Sequence, residues 1–299
     1  MNLIRLKPKL ITLASVLMAL SGCAQVAEVM GYDTQTLNAA AAKSYTQMIG
    51  EAKANGEVET NTPVAKRVNT IFQRLVPYAN EANQTGVPFD WQLNVINSEI
   101  PNAFAMPGGK MVVYTGIVNR LNLSDDEIAA IIGHEMTHAL QEHSKKAAGQ
   151  QILTSVALEI GSSALQSKTG ASANNVGIYK DVLNQFGLTL PFSRHQESLA
   201  DAGGLKLMAQ AGYDPHAAIT VWEKMNKVMG NNRGTSLLST HPSNDARINA
   251  LKKMLPEVLP VYEQARQNNL AIKSKPVTAQ NIQGANNFRK GTVKKKKRS

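Results

Sequence analysis

The sequence predicts an α+β fold, mainly helical, in which a small antiparallel hairpin lies beside one helix that carries chemistry. Three observations predict it. Apolar residues recur at helical spacing over several long stretches. One short stretch alternates apolar and polar residues, and a Pro-Gly-Gly turn separates it from a second apolar run. A capping signature opens a helix whose middle holds two histidines four residues apart. Apolar residues make up 43% of the 299, enough to bury a core, so disorder of the whole chain is excluded.

Residues 1–22 read as an export leader. Arg5, Lys7 and Lys9 precede an apolar run from Leu10 to Leu20, followed by Ser21-Gly22-Cys23. The run of about eleven residues suits a leader core and falls short of the ~20 that span a bilayer. Small residues before a cysteine resemble a bacterial lipobox, where cleavage leaves Cys23 as a lipid-bearing amino terminus and a membrane anchor. Cys23 is the single cysteine, so the chain has no disulfide, and lipidation would consume its thiol. Ala24 follows in place of Asp; by similarity to other Gram-negative lipoproteins, this points to the periplasmic side of the outer membrane.

The formal net charge of +10 suggests a polyanion partner until it is located. Three of the excess cations lie in the leader. The rest lie at the other end, at Arg289, Lys290, Lys294, Lys295, Lys296, Lys297 and Arg298. Between the two tails, basic and acidic residues balance. No basic surface patch is implied, and Phe288 is the one aromatic near the tail that could stack on a base, so nucleic acid is excluded as a partner.

The elements follow in order. Residues 24–62 are polar and Ala-rich, which predicts a tether with a loose helix. Val64, Val68, Ile71, Phe72, Leu75 and Tyr78 mark a helix over 63–82. Trp91, Leu93 and Val95 mark a strand that pairs across Pro107-Gly108-Gly109 with a second strand over 110–113. Ser124 and Glu127 form a capping box, and Asp125 and Asp126 suit the positive end of the helix they open, which runs to about Ala147. The apolar run Ile152–Leu165 is too short and too polar to cross a membrane. A helix covers about 193–210 and breaks at Gly212. Asp214-Pro215 opens another, to about Met229. A last helix follows Pro242. Beyond about Asn268 the chain is polar and reads as disordered. The chain thus divides into a leader (1–22), a tether and helical segment (23–62), one folded domain (63–268) and a basic tail (269–299).

The chemistry begins at His134-Glu135-Met136-Thr137-His138. At about 100° per residue the two histidines differ by about 40°, so both imidazoles leave one face of the helix. That suits two ligands of a tetrahedral zinc, and a catalytic zinc takes three protein ligands and leaves one position open. With the one cysteine in the lipobox, the third ligand is His, Asp or Glu. Glu197 is the best candidate, with Asp201 four residues on to accept a hydrogen bond from a ligand histidine. Gly133 sits mid-helix, where glycine costs about 0.5–1 kcal/mol relative to alanine, which predicts that another backbone packs closely there.

Four blocks carry a resemblance: Gly133 to Leu140, Arg194 to Asp201, Ala211-Gly212-Tyr213-Asp214-Pro215, and Ser239-Thr240-His241-Pro242-Ser243. In order, content and spacing they resemble the HtpX-like zinc metallopeptidases (peptidase family M48), over roughly residues 63–262. The basic tail lies outside the family pattern. Within the family, the leader and the lack of membrane spans are similar to the periplasmic lipoprotein branch. The resemblance implies a zincin-like fold with one Zn²⁺ per chain on His134, His138 and Glu197, and Glu135 as general base. It implies that His241 and Arg247 lie near the site as donors to a developing oxyanion. His241 could equally be a fourth ligand that keeps the enzyme latent, or a capping residue of its loop. It also implies that Asn102, Ala103, Phe104 and Ala105 form an edge strand along which an extended substrate binds.

On this reading the chain is a membrane-anchored endopeptidase of unfolded or misassembled envelope proteins. The alternative is a chaperone or assembly factor for outer-membrane proteins that uses the same fold to bind clients. Three histidines fall outside the predicted site. On a continuous helix His143 lies about 140° from His138, His195 lies about 200° from Glu197, and His216 follows a helix cap. Met225 and Met229 read as core filler.

Overall fold

The computed structural model describes residues 22–150, 152–154, 192–229, 237–242 and 245–274. Helix α1 (Cys23–Val29) leads to α2 (Thr34–Ala54), capped by Asp33, whose carboxylate accepts from the Thr36 N–H. Strand β1 (Val58–Glu59) precedes α3 (Pro63–Ala82), where Thr62 caps and Pro63 sits at the first helical position. Strands β2 (Gln92–Ile96), β3 (Ala103–Met106) and β4 (Lys110–Tyr114) follow, with a tight Pro107–Gly109 turn between the last two.

The sheet corrects the expected pairing. Its order is β1-β2-β4-β3, and it is mixed. β2 runs parallel to β4, with Leu93 opposite Met111, while β3 runs antiparallel to β4, with Ala105 opposite Met111. The Pro-Gly-Gly turn therefore joins β3 to β4. The hairpin expected from β2 does not form, because residues 97–102 carry the chain across to the far side of β4. Gly108 (φ 75°) and Gly109 (φ 84°) adopt the left-handed backbone that the tight turn requires.

Both faces of the sheet are covered. Val95, Ala103, Ala105, Met111 and Val113 join the main core with α3 and the helices that follow. Ile96, Phe104, Met106 and Val112 pack on the other face against Ala41, Tyr45, Ile49 and Ala52 of α2. The segment expected to be a tether with a loose helix is thus a docked helix. Tyr45 fixes it by donating from Oη to the Met111 carbonyl (3.0 Å) while accepting from Asn94 Nδ2 (2.7 Å). α1 docks too. Lys145 pairs with Glu28 at 2.6 Å, and the Cys23 backbone lies so close on Gly149 that no side chain would fit there.

The helices that build the site come next. α4 (Thr115–Arg120) turns the chain into α5 (Asp125–Leu140), which opens on the expected capping box. α5 ends seven residues before the expected limit. Glu142 takes a positive φ of 51°, and a new helix, α6, is helical over 143–150 and again at 152–154. α7 (Arg194–Gln210) opens on a second capping box, Ser193 with Gln196. α8 (Ala217–Met229) and the short α9 (Leu237–Thr240) lead to α10 (Asp245–Ser274), which continues past the expected end near Asn268. The leader, most of the Ile152–Leu165 run and the basic tail lie outside the described residues. Among those described, no helix is long and apolar enough to cross a membrane. The fold is mostly helical with a small four-stranded sheet, as a zincin-like domain requires.

Candidate metal centre

Two helices make the site by touching at glycine. A Cβ on Gly133 of α5 would lie 3.0 Å from the carbonyl oxygen of Gly204 in α7, and one on Gly203 would run into the Thr137 side chain. The backbone expected against Gly133 is therefore α7. This contact lets α7 lie close enough to present Glu197 and Asp201, one turn apart, to His134 and His138.

The four groups converge. Glu197 Oε2 lies 3.5 Å from His134 Nε2, and Glu197 Oε1 lies 3.3 Å from His138 Nε2. The two Nε2 atoms are 3.1 Å apart. His241, just after α9, completes the ring, with Nδ1 2.9 Å from Glu197 Oε1 and 3.2 Å from His134 Nε2. The donor atoms of His134, His138, Glu197 and His241 all lie within 4.8 Å of one another, and all four residues are buried. Four buried imidazole and carboxylate donors brought this close together fit a divalent cation. Arg247 Nη1 pairs with Glu197 Oε2 at 2.5 Å, on the edge of the cluster.

Behind the donors stand their supports. Asp201 Oδ1 is 3.1 Å from His134 Nδ1, the side of the ring opposite the cluster. Arg247 grips Asp201 through Nε and Nη2, both at 2.7 Å, and its guanidinium stacks 3.7 Å over the Trp222 ring. Its other N–H groups face Glu197 and the Pro242 carbonyl, so Arg247 braces both carboxylates.

His143 departs furthest from the sequence reading. On one continuous helix its ring would leave the ligand face. The turn at Gln141–Glu142 breaks that helix and swings His143 back, so that its Nδ1 is 2.9 Å from His138 Nδ1. No glycine or proline marks the break; the one sequence signal was a third histidine within ten residues of the motif. His195 and His216 stay exposed, and Met225 is fully buried.

Burial and pairing set the charges. Burial pushes the Glu135 carboxyl up, only partly offset by His241, His134 and the N–H of Ala105 in β3. Burial also works against a charged Glu197, yet His241 and the bonds to His134 and His138 overcome it and hold its pKa far below the usual range. Asp201 is likewise lowered, because hydrogen bonds from Arg247 and His134 outweigh desolvation. Burial drives His138 well down and takes His143 to about 3, so both rings are neutral. His134 differs: its bonds to Asp201 and Glu197 outweigh burial and raise it to about 9.

Glu135 lies between His241 and the N–H of Ala105. Its Oε1 is buried without a hydrogen bond among the described residues, and His241 Nε2 stands 3.4 Å from it. β3 is the edge strand expected for residues 102–105, and Ala103, Phe104, Ala105 and Met106 are all buried. A pocket of about 210 Å³, lined by Phe192, Ser198, Ala246 and Ala250 among others, opens on Glu197 and Arg247. His134, His138 and Glu197 could hold a Lewis-acidic ion, and the Glu135 carboxyl, its pKa raised by burial, lies beside that cluster.

The sequence matches the model of peptidase family M48 over residues 64–255. A mitochondrial metalloendopeptidase OMA1 from Schizosaccharomyces pombe is 35% identical over 196 residues, which is 65% of this chain and 54% of that one. Metalloprotease LoiP of Escherichia coli is 32% identical over 191 residues, 62% of this chain and 69% of its own. The beta-barrel assembly-enhancing protease of the same bacterium is 25% identical over 211 residues, 70% of this chain and 42% of its own. The chain thus spans about half the length of the yeast relative. The matched segment contains every donor and support named above, and this chain belongs to peptidase family M48.

Proposed function

We propose that this chain is a zinc metalloendopeptidase that hydrolyses peptide bonds in unfolded or misassembled envelope proteins. The observation that carries the reading is the convergence of His134, His138 and Glu197 on one point with Glu135 beside it. A set of imidazole and carboxylate donors suits zinc. Bound there, the ion supplies a Lewis acid that polarises a peptide carbonyl and eases deprotonation of water.

The chain's own residues do the rest. Glu135, its pKa raised by burial, takes the proton of the attacking water and returns it to the leaving amine. β3 offers an edge to which an extended segment can add as a further strand, with Ala105 next to the general base. Edge pairing reads backbone, which favours unfolded substrates. His241 lies against both Glu197 and Glu135, which supports a resting form in which His241 guards the general base. The leader and Cys23 support anchoring by lipid on the periplasmic side of an outer membrane. The likeness to a beta-barrel assembly-enhancing protease supports envelope clients.

Metal analysis and casein cleavage, run on the mature protein beside Glu135→Gln, test this. The wild type should carry about one zinc per chain and cleave; Glu135→Gln should keep the zinc and lose cleavage. A Glu135→Gln protein that cleaved like the wild type would overturn the assignment of the base. If it did not cleave yet kept the full biological effect, client holding would replace hydrolysis as the function.

A further inference from the structure

The two histidines of the motif are backed differently. His134 rests its far nitrogen on a carboxylate, Asp201, which Arg247 holds. Among the described residues, His138 has no carboxylate behind it. Its Nε2 faces the donor cluster, 3.3 Å from Glu197, and its Nδ1 faces Nδ1 of His143 at 2.9 Å. Two ring nitrogens at that distance share one proton, so one donates and the other accepts.

The geometry points to His143 as the positioning residue of His138, through a histidine–histidine hydrogen bond that fixes the tautomer of a metal ligand. This rests on the metallopeptidase reading. To offer Nε2 to a cation, His138 must carry its proton on Nδ1. His143 must then accept at Nδ1 and carry its own proton on Nε2. That second nitrogen is buried and has no hydrogen-bond partner among the described residues, so nothing there competes for the assignment.

The surroundings hold His143 in place. The Glu142 backbone, at φ 51°, aims the first residue of α6 back at α5. Thr34 Oγ1 donates to the Glu142 carboxylate at 2.5 Å, and Lys145 reaches both. Gln196 Nε2 donates to the His143 carbonyl at 3.3 Å, and the Phe192 ring packs 4.0 Å from that of His138. His143 is itself fully buried. A neutral imidazole in this place orients the ligand as a carboxylate would, but adds no negative charge to the site. Partners of this kind typically govern metal affinity by 10–100-fold.

The test compares zinc affinity, by chelator competition, for the mature wild type, His143→Leu and His143→Asn. Asparagine keeps an acceptor oxygen; leucine does not. His143→Leu should bind zinc about 10–100-fold more weakly. His143→Asn should recover most of that loss, with the metal-free melting temperatures of the two variants alike. Wild-type affinity in the leucine variant overturns the inference, as does an equal loss in both, which would make the role one of packing. A wild type that binds no zinc fails the metallopeptidase reading itself, a distinguishable result. Should the leucine variant not fold, ring ¹⁵N spectra of the zinc-loaded wild type decide: His138 protonated at Nδ1 and His143 at Nε2 is expected, and His143 protonated at Nδ1 overturns it.

Discussion

Gly133 and Gly204 meet backbone to backbone where the two site-bearing helices cross. A Cβ on Gly204 would lie 2.8 Å from the His134 amide nitrogen and 3.0 Å from its Cα, whereas one on Gly133 would meet the Gly204 carbonyl oxygen at 3.0 Å. The first clash is with helix backbone, which cannot turn aside. Gly204→Ala should push α7 away, carrying Glu197 off the histidine pair, and destabilise the protein by about 1–3 kcal/mol. Gly133→Ala should do less harm, since its clash is looser and alanine regains up to about 1 kcal/mol of helix propensity. Zinc content and thermal unfolding of both variants check this; a Gly204→Ala protein with normal zinc content would contradict it.

α2 can be tested as part of the fold through Tyr45. Its hydroxyl is buried, burial raises its pKa to about 12, and it serves both Met111 and Asn94. Tyr45→Phe leaves a buried carbonyl and amide short of a partner, at about 1–2 kcal/mol. At roughly 2–4 °C per kcal/mol, the melting temperature should fall by several degrees. A helix hanging loosely from the domain would show no shift.

Glu127 links the capping box to pH. It accepts from the Ser124 N–H at 2.9 Å and from Lys224 at 2.7 Å. Burial opposes its charge, yet the bonds from Lys224, Ser124 and Thr220 win and lower its pKa from the ordinary 4.5. A lowered carboxylate pKa stabilises the fold above the unfolded value, and that stability is lost as pH falls through the folded value. Urea unfolding of the wild type and Glu127→Gln should therefore show a constant gap from pH 7 to about pH 5, closing below about 4.5. A gap that widened on acidification would refute the sign.

His241 separates two roles by direction. If it guards Glu135 in a resting form, His241→Ala raises casein cleavage by the zinc-loaded protein. If it were an oxyanion donor, the same change would lower the rate by about 10²–10³-fold. The contacts to Glu197 and Glu135 favour the rise.

What could be read in the sequence was what is local. Ser124 and Glu127 announced α5, and the spacings within 134–138 and 197–201 announced which side chains share a face. What could not be read came from long-range pairing or from an unmarked break. Pro107–Gly109 signals a turn but not whether β2 or β3 uses it. The stripe Leu37, Tyr45 and Ile49 in α2 is diluted by alanines, so it resembles a solvated helix. Gln141 and Glu142 look like helix residues, and their turn is held by Thr34, over a hundred positions away, with neighbouring Lys145 bridging Thr34 and Glu142. That one break hid His143.

The seating of Cys23 on Gly149 has a mechanical consequence. Whatever grips residue 23 also grips, through α6, the helix pair that carries the cleft, with no slack chain between. A mounting at that point would fix the cleft's height and tilt above the mounting surface, so the protein would work as a bench-fixed blade does. Segments presented at that standoff come within reach, and those floating farther out must be brought to it.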